Sequence, residues 1–167
     1  MSTTASGTST PAAIRPLAPA DHEPLRALNN EFAAELNWQE PDSFESLLSN
    51  AFFTRTIGDQ EALLVAFDQD DTYDNVNFIW HGKRRDKFVY IDRIVISPSA
   101  RGKGYARALY DHLNAEAKAQ GHQWVTCEIY VDPPNLGSIA FHEKLGFKEV
   151  GRGQANGKTV GYFEKQL

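Results

Sequence analysis

Residues 101 to 106, Arg101-Gly102-Lys103-Gly104-Tyr105-Ala106, set two glycines and two cations directly ahead of an amphipathic stretch. That spacing suits the binding of an anion. Glycine lets the backbone curl until several N–H groups converge, the N-terminus of a following helix adds about half a positive charge, and Arg101 and Lys103 add whole ones. The fitting ligand is a phosphorylated cofactor, although a strand-to-helix turn with surface cations is also common where nothing binds. A Walker loop needs a hydroxyl residue after its lysine, and Gly104 follows Lys103. A dinucleotide fingerprint needs a third glycine, and Arg107 stands in its place. Both nucleotide readings weaken.

What remains is Arg101-x-x-Gly104-x-Ala106, preceded by Ile94-Val95-Ile96-Ser97-Pro98 and followed by a helical pattern. This segment resembles the pyrophosphate-binding motif of the GNAT acetyltransferase superfamily. Asn135, Ser138, Phe141, His142, Lys144, Gly146 and Phe147 fall on the family's second motif, N-x-x-A-x-x-L-Y-x-K-x-G-F, in the right order and spacing. One position departs notably, since His142 replaces the family's tyrosine. The resemblance covers residues 88 to 151 by motif and most of residues 13 to 167 by order of elements.

The resemblance implies an α/β fold: one GNAT-type domain, its mixed, mostly antiparallel sheet splayed at a central parallel strand pair, with helices on both faces. Acetyl-CoA would be the co-substrate. The N–H groups of residues 101 to 106 would hold its pyrophosphate, and the pantetheine arm would pair with the main chain near Ile94 and Ile96. Asn135 and Ser138 would lie beside that arm, and the Val95 N–H would face the oxyanion. Direct transfer to a primary amine needs a neutral amine, a polarised carbonyl and a proton for the departing thiolate. By family position His142 is the candidate acid, although an imidazole is mostly neutral at neutral pH and could instead only pack beside the cofactor. Glu128 and Asp92 interrupt otherwise apolar strands and are the candidate bases. Glu128 comes first, because it shares a strand face with Thr126 and Tyr130; either carboxylate could instead pair with a cation such as Arg93. Cys127 reads as a small buried hydrophobe.

The acceptor stays open among small amines, amino acids, antibiotics and protein amines. A non-catalytic acyl-CoA-binding sensor or interaction module is the alternative, favoured by the missing tyrosine. A homodimer is compatible with either reading.

The chain of 167 residues fits one domain, with residues 1 to 12 read as a disordered tail and no secretory signal among them. A hydrophobic fraction of 41% is ordinary for a soluble protein, and no run approaches the ~20 apolar residues of a membrane span. A net charge of −5 argues against a nucleic-acid partner, and a single cysteine suits a reducing, cytoplasmic setting. Asp68, Asp70, Asp71 and Asp74 lack the glycine and glutamate of a calcium loop and read as a solvated turn, so no metal is expected. Lys83-Arg84-Arg85 also reads as a solvated turn.

The positioning elements follow from periodicity. Strands are expected at Ile14-Arg15-Pro16-Leu17, at 62 to 67, at 88 to 96, along Val125 to Val131, from Phe147 and from 158 to 163. An edge-like strand is expected at Asn77-Phe78-Ile79-Trp80-His81. Helices are expected after Asp21, its N-cap, from about Asp42, from near Gly104 to before Gly121, and from Leu136 to Leu145.

Overall fold

The computed structural model describes residues 12 to 167. The tail expected at residues 1 to 12 therefore lies, Ala12 apart, outside the described residues. Among the described residues, seven strands form one sheet: β1 (Ile14–Arg15), β2 (Phe53–Ile57), β3 (Ala62–Asp68), β4 (Phe88–Ile96), β5 (Trp124–Asp132), β6 (Lys148–Ala155) and β7 (Lys158–Gln166). Six helices accompany them: α1 (His22–Glu31), α2 (Ala33–Leu36), α3 (Pro41–Asn50), α4 (Val76–Gly82), α5 (Tyr105–Ala119) and α6 (Leu136–Lys144). The sheet order is β1-β2-β3-β4-β5-β7-β6, and only β4 and β5 run parallel.

Each sheet face has its own core. Leu109, Leu113 and Ala117 recur along α5 at helical spacing and bury against Leu64, Val89, Val125 and Ile129 of the strands. On the other face, Leu25 and Leu28 of α1, Phe44 and Leu48 of α3, and Phe78 of α4 cover Leu63, Val65, Phe67 and Tyr90. β3 is buried along its whole length because it lies between these layers, which accounts for its unbroken apolar run.

Two features of β4 shape the site. Its parallel pairing with β5 ends after Phe88, Val89 and Tyr90, opposite Trp124, Val125 and Thr126, although both strands continue. Beyond that point the two strands splay. On the other edge, Val65 pairs with Arg93 and Ala66 with Ile91, so Asp92 is an unpaired bulge residue. The extra residue shifts the alternation: Val89 and Ile91 face the α5 layer before it, and Ile94 and Ile96 pack on that layer after it.

Several expectations need correction. Asn77 to His81 is not an edge strand but the body of α4, because the Asn75 side chain accepts from the N–H groups of Asn77 at 2.9 Å and Phe78 at 3.1 Å. Asp21 does not cap α1 through its side chain; its carboxylate takes Ala18 N–H at 2.7 Å and the Arg15 guanidinium at 2.7 and 2.8 Å. Arg84 and Arg85 are not simply solvated: both reach Glu164, at 3.4 and 2.7 Å, and Arg85 lies 3.5 Å over the Trp124 ring. The acidic turn is only partly solvated, since Asp68 bonds His122 at 3.0 Å and Asp71 accepts from Phe52 and Asp68 N–H groups.

Candidate active site

The splay of β4 from β5 opens a groove made of two abutting cavities that share Glu35, Leu36, Ile94, Asn135 and Ser138. The larger, about 800 Å³, runs along Ile94, Val95 and Ile96 to Arg101, Gly102, Gly104, Tyr105 and Ala106. The smaller, about 550 Å³, contains Asp92, Glu128 and His142. All the residues singled out from sequence as candidates therefore line one continuous groove, with the exception of Lys103.

At the loop end, the chain leaves β4 through a short turn, Pro98–Ala100, and enters α5 at Gly104. Gly102 and Gly104 have φ of +79° and +77°, a region that residues with a Cβ rarely adopt. No side chain caps α5, so its first N–H groups remain free to point into the larger cavity. The loop's side chains behave differently. Tyr105 donates to Glu61 at 3.1 Å, Lys103 lies 3.8 Å from the same carboxylate, and Arg101 sits over the Phe32 ring. Lys103 thus leans toward Glu61, and the groups left along the larger cavity are the main-chain donors, the positive end of the α5 dipole and Arg101.

At the other end, two carboxylates are held in different ways. Glu128 accepts from the Tyr90 hydroxyl at 2.6 Å, while Asn77, itself accepting from Tyr162 at 3.0 Å, offers a second hydrogen bond. Burial dominates and pushes the Glu128 carboxyl up to about 8; neighbouring Asp92 adds to the rise, and the hydrogen bonds from Tyr90 and Asn77 oppose it. Asp92, at the bulge, is clamped by the Tyr73 hydroxyl and by Arg93 Nε at 2.7 Å. Arg93 also donates to Asn29 at 2.7 Å and to the Leu36 carbonyl at 3.2 Å, tying the α1–α2 segment to the groove wall. Asp92 is thus paired with Arg93, whereas the hydrogen bonds to the Glu128 carboxylate come from the neutral Tyr90 and Asn77 side chains.

The third ionisable group is His142 of α6, which is buried. Its Nδ1 lies 2.7 Å from the Ser138 carbonyl, which can only accept, so Nδ1 carries the proton. Nε2 then faces the Tyr110 hydroxyl at 2.7 Å as an acceptor. Burial lowers the pKa of His142, against the raising effect of the Ser138 carbonyl, so the ring is neutral. Asn135 caps α6, its side chain accepting from Ser138 N–H at 3.2 Å, which fixes the turn in which Ser138 and His142 face the groove. Cys127 is buried and its thiol is pushed up by burial, consistent with a packing role. Sequence reasoning missed Asn77 and Tyr110, which line the groove, and Tyr73 and Tyr90, whose hydroxyls bond its two carboxylates. Only Tyr90, two positions before Asp92 in a strand, carried a local signal.

Among the described residues, no group of three potential ligands could hold a metal ion and no helix is long and apolar enough to cross a membrane. No curated protein sequence matches the chain. Among solved structures, the chain resembles YncA, a putative acetyltransferase from Salmonella typhimurium with its cofactor acetyl-CoA, at 20% identity over 95% of each chain with a TM-score of 0.71. It also resembles a phosphinothricin acetyltransferase from Sinorhizobium meliloti in complex with acetyl-CoA, at 21% identity over 95% of this chain and 89% of that one, TM-score 0.70. A ribosomal-protein-S18-alanine N-acetyltransferase from Escherichia coli matches at 18% identity over 93% of each, TM-score 0.67. The profile of the acetyltransferase (GNAT) family spans residues 25 to 147, most of the chain and both blocks of the groove, so the protein belongs to the GNAT family of acetyltransferases.

Proposed function

We propose that the protein transfers the acetyl group of acetyl-CoA directly to a primary amine, with Glu128 as the general base. The observation that carries this reading is the continuity of one groove: a glycine-rich helix N-terminus stands at one end and a carboxylate raised to about 8 at the other. The N–H groups of residues 101 to 106 hold the pyrophosphate. The pantetheine arm lies along Ile94, Val95 and Ile96 in the gap where β5 no longer pairs, with Asn135 and Ser138 on its other side. This places the thioester near the junction of the cavities, and the Val95 N–H is the nearest candidate donor for its carbonyl oxygen.

The amine enters from the cavity holding Glu128 and Asp92. Glu128, ionised in an appreciable fraction near neutral pH, accepts the amine proton as nitrogen attacks the carbonyl. The C–N bond forms, the tetrahedral intermediate collapses, and the C–S bond breaks with its electron pair on sulfur. The test is acetyl-CoA with a panel of small amines, amino acids and N-terminal peptides, read as free CoA thiol and acetylated product. Turnover with any of them supports the reading. Tight acetyl-CoA binding without thiol release across the panel would favour a non-catalytic acyl-CoA sensor.

Tyr90 offers an independent check on the base. Its hydrogen bond to Glu128 favours the ionised carboxylate, so Tyr90→Phe should raise the Glu128 pKa above about 8 and move the rising limb of kcat/KM to higher pH. A profile that stays in place would remove Glu128 from the proton transfer.

A further inference from the structure

We infer that the acceptor is an amine that also carries a carboxylate, and that Lys158 and Tyr130 hold this carboxylate while Glu128 meets the amine; the inference rests on the acetyl-transfer reading above. The β6–β7 hairpin brings the two binding residues together. Asn156 and Gly157 have φ of +54° and +71°, the pair of positive values that suits a two-residue turn between twisted strands, and Ala155 and Lys158 pair across it. The turn sets Asn156 and Lys158 against Tyr130 of β5. Asn156 Nδ2 donates to the Tyr130 hydroxyl at 3.2 Å, and Lys158 Nζ stands 4.7 Å from the centre of the Tyr130 ring. All three side chains line the smaller cavity.

The cavity has two chemically different ends. Arg93 is bound to Asp92, so among the described residues Lys158 is the cation of this wall without a carboxylate within 4 Å. The Tyr130 ring meets the half-buried ammonium on one side but offers it no oxygen. Because Asn156 donates to the Tyr130 oxygen, the phenol keeps its own O–H to give. An ammonium and a hydroxyl donor side by side suit a carboxylate, whose two oxygens accept from both. Glu128 precedes Tyr130 by two residues on the same face of β5, so the two side chains leave the strand about 7 Å apart. With a hydrogen bond at each end, a short amino acid bridges that span, its amine at Glu128 and its carboxylate at Lys158. Glu35, the remaining charge, belongs to the junction shared with the larger cavity. A plain alkylamine leaves Lys158 unpaired, and a diamine sets a second ammonium against it, so both are selected against.

The test uses the full-length protein and matched pairs: glycine, 4-aminobutanoate, L-methionine and L-phenylalanine, each against its carboxamide, which keeps the amine and loses the charge. Wild type should favour the acid over the amide in kcat/KM for at least one pair. Lys158→Met should erase that preference by raising KM for the acid about 10-fold, the low end for a charge-assisted hydrogen bond, with kcat and the KM for acetyl-CoA unchanged. Lys158→Arg should restore the preference, and Lys158→Glu should turn it toward 1,4-diaminobutane, a gain that misfolding does not produce. Calorimetric titration of the same pairs into the CoA complexes of wild type and Lys158→Met reads the subsite without turnover. An acid-over-amide preference that is absent from wild type in both assays, or that survives in Lys158→Met, overturns the assignment. Lys158-dependent binding of the acid with no member of any pair acetylated instead overturns the transferase reading and leaves the carboxylate subsite standing.

Discussion

Glu128→Gln should abolish the rise of kcat/KM through pH 8 and lower the rate at alkaline pH by ~10²- to 10⁴-fold, the range expected when a general base is removed. The carboxyl sits near 8 in the folded protein, so wild type gains competent base as pH rises through that value. Glutamine keeps the size and can still accept from Tyr90, but it takes no proton. Ionisation of the amine acceptor affects both enzymes equally, so the difference between their profiles isolates Glu128. A profile for Glu128→Gln that keeps the wild-type limb would assign the deprotonation to water or another group.

The same residue predicts a stability effect of opposite direction. Below its ordinary value of 4.5, Glu128 is protonated whether folded or unfolded, and its contribution to stability is complete. Between 4.5 and about 8 the unfolded chain releases the proton while the folded chain retains it, so that contribution is progressively lost as pH rises. Glu128→Gln cannot ionise and should therefore gain thermal stability relative to wild type on going from pH 5 to pH 8.5. Melting curves at the two values check this. A variant inactive yet relatively more stable at alkaline pH would show that the raised carboxyl is kept for chemistry and not for the fold.

The parallel strand pair and the glycine loop were legible because their determinants are local. Ile94 to Pro98, Arg101 to Ala106 and Asn135 to Phe147 are contiguous, and the βαβ connection dictates that their ends meet. The strand expected at Asn77 to His81 failed because a short apolar run has no decisive period, and the deciding residue, Asn75, lies outside it as a cap. The bulge at Asp92 depends on the register with β3 and leaves no mark in β4 itself. The proton chemistry was hidden for a related reason. Tyr73 lies 19 positions from Asp92, Tyr90 lies 38 from Glu128, and Tyr110 lies 32 from His142, so each pair exists only once the layers have packed. In sequence Tyr110 shares the buried stripe of Leu109 and Leu113, and nothing distinguishes its hydroxyl from a core aromatic.

Gly104→Ala should weaken acetyl-CoA binding by roughly 10- to 150-fold, the loss of one charge-assisted hydrogen bond of about 1.5–3 kcal/mol. Its φ of +77° is the entry to α5, and a Cβ there would touch nothing within 4 Å, so the penalty is backbone strain and not a clash. To escape that strain the loop must rotate, which turns the first N–H groups of α5 away from the larger cavity. Gly121, just beyond the other end of α5, supplies the control, with φ of +89° and likewise nothing within 4 Å of its Cβ. Alanine at either glycine costs about 1 kcal/mol or more of stability, which for a chain of this size lowers Tm by roughly 2–4 °C per kcal/mol. The two variants should therefore melt at similar temperatures but differ in calorimetric affinity for acetyl-CoA, with only Gly104→Ala impaired. Equal affinities would mean that the pyrophosphate is held elsewhere, and that the positive-φ turn serves only to start the helix.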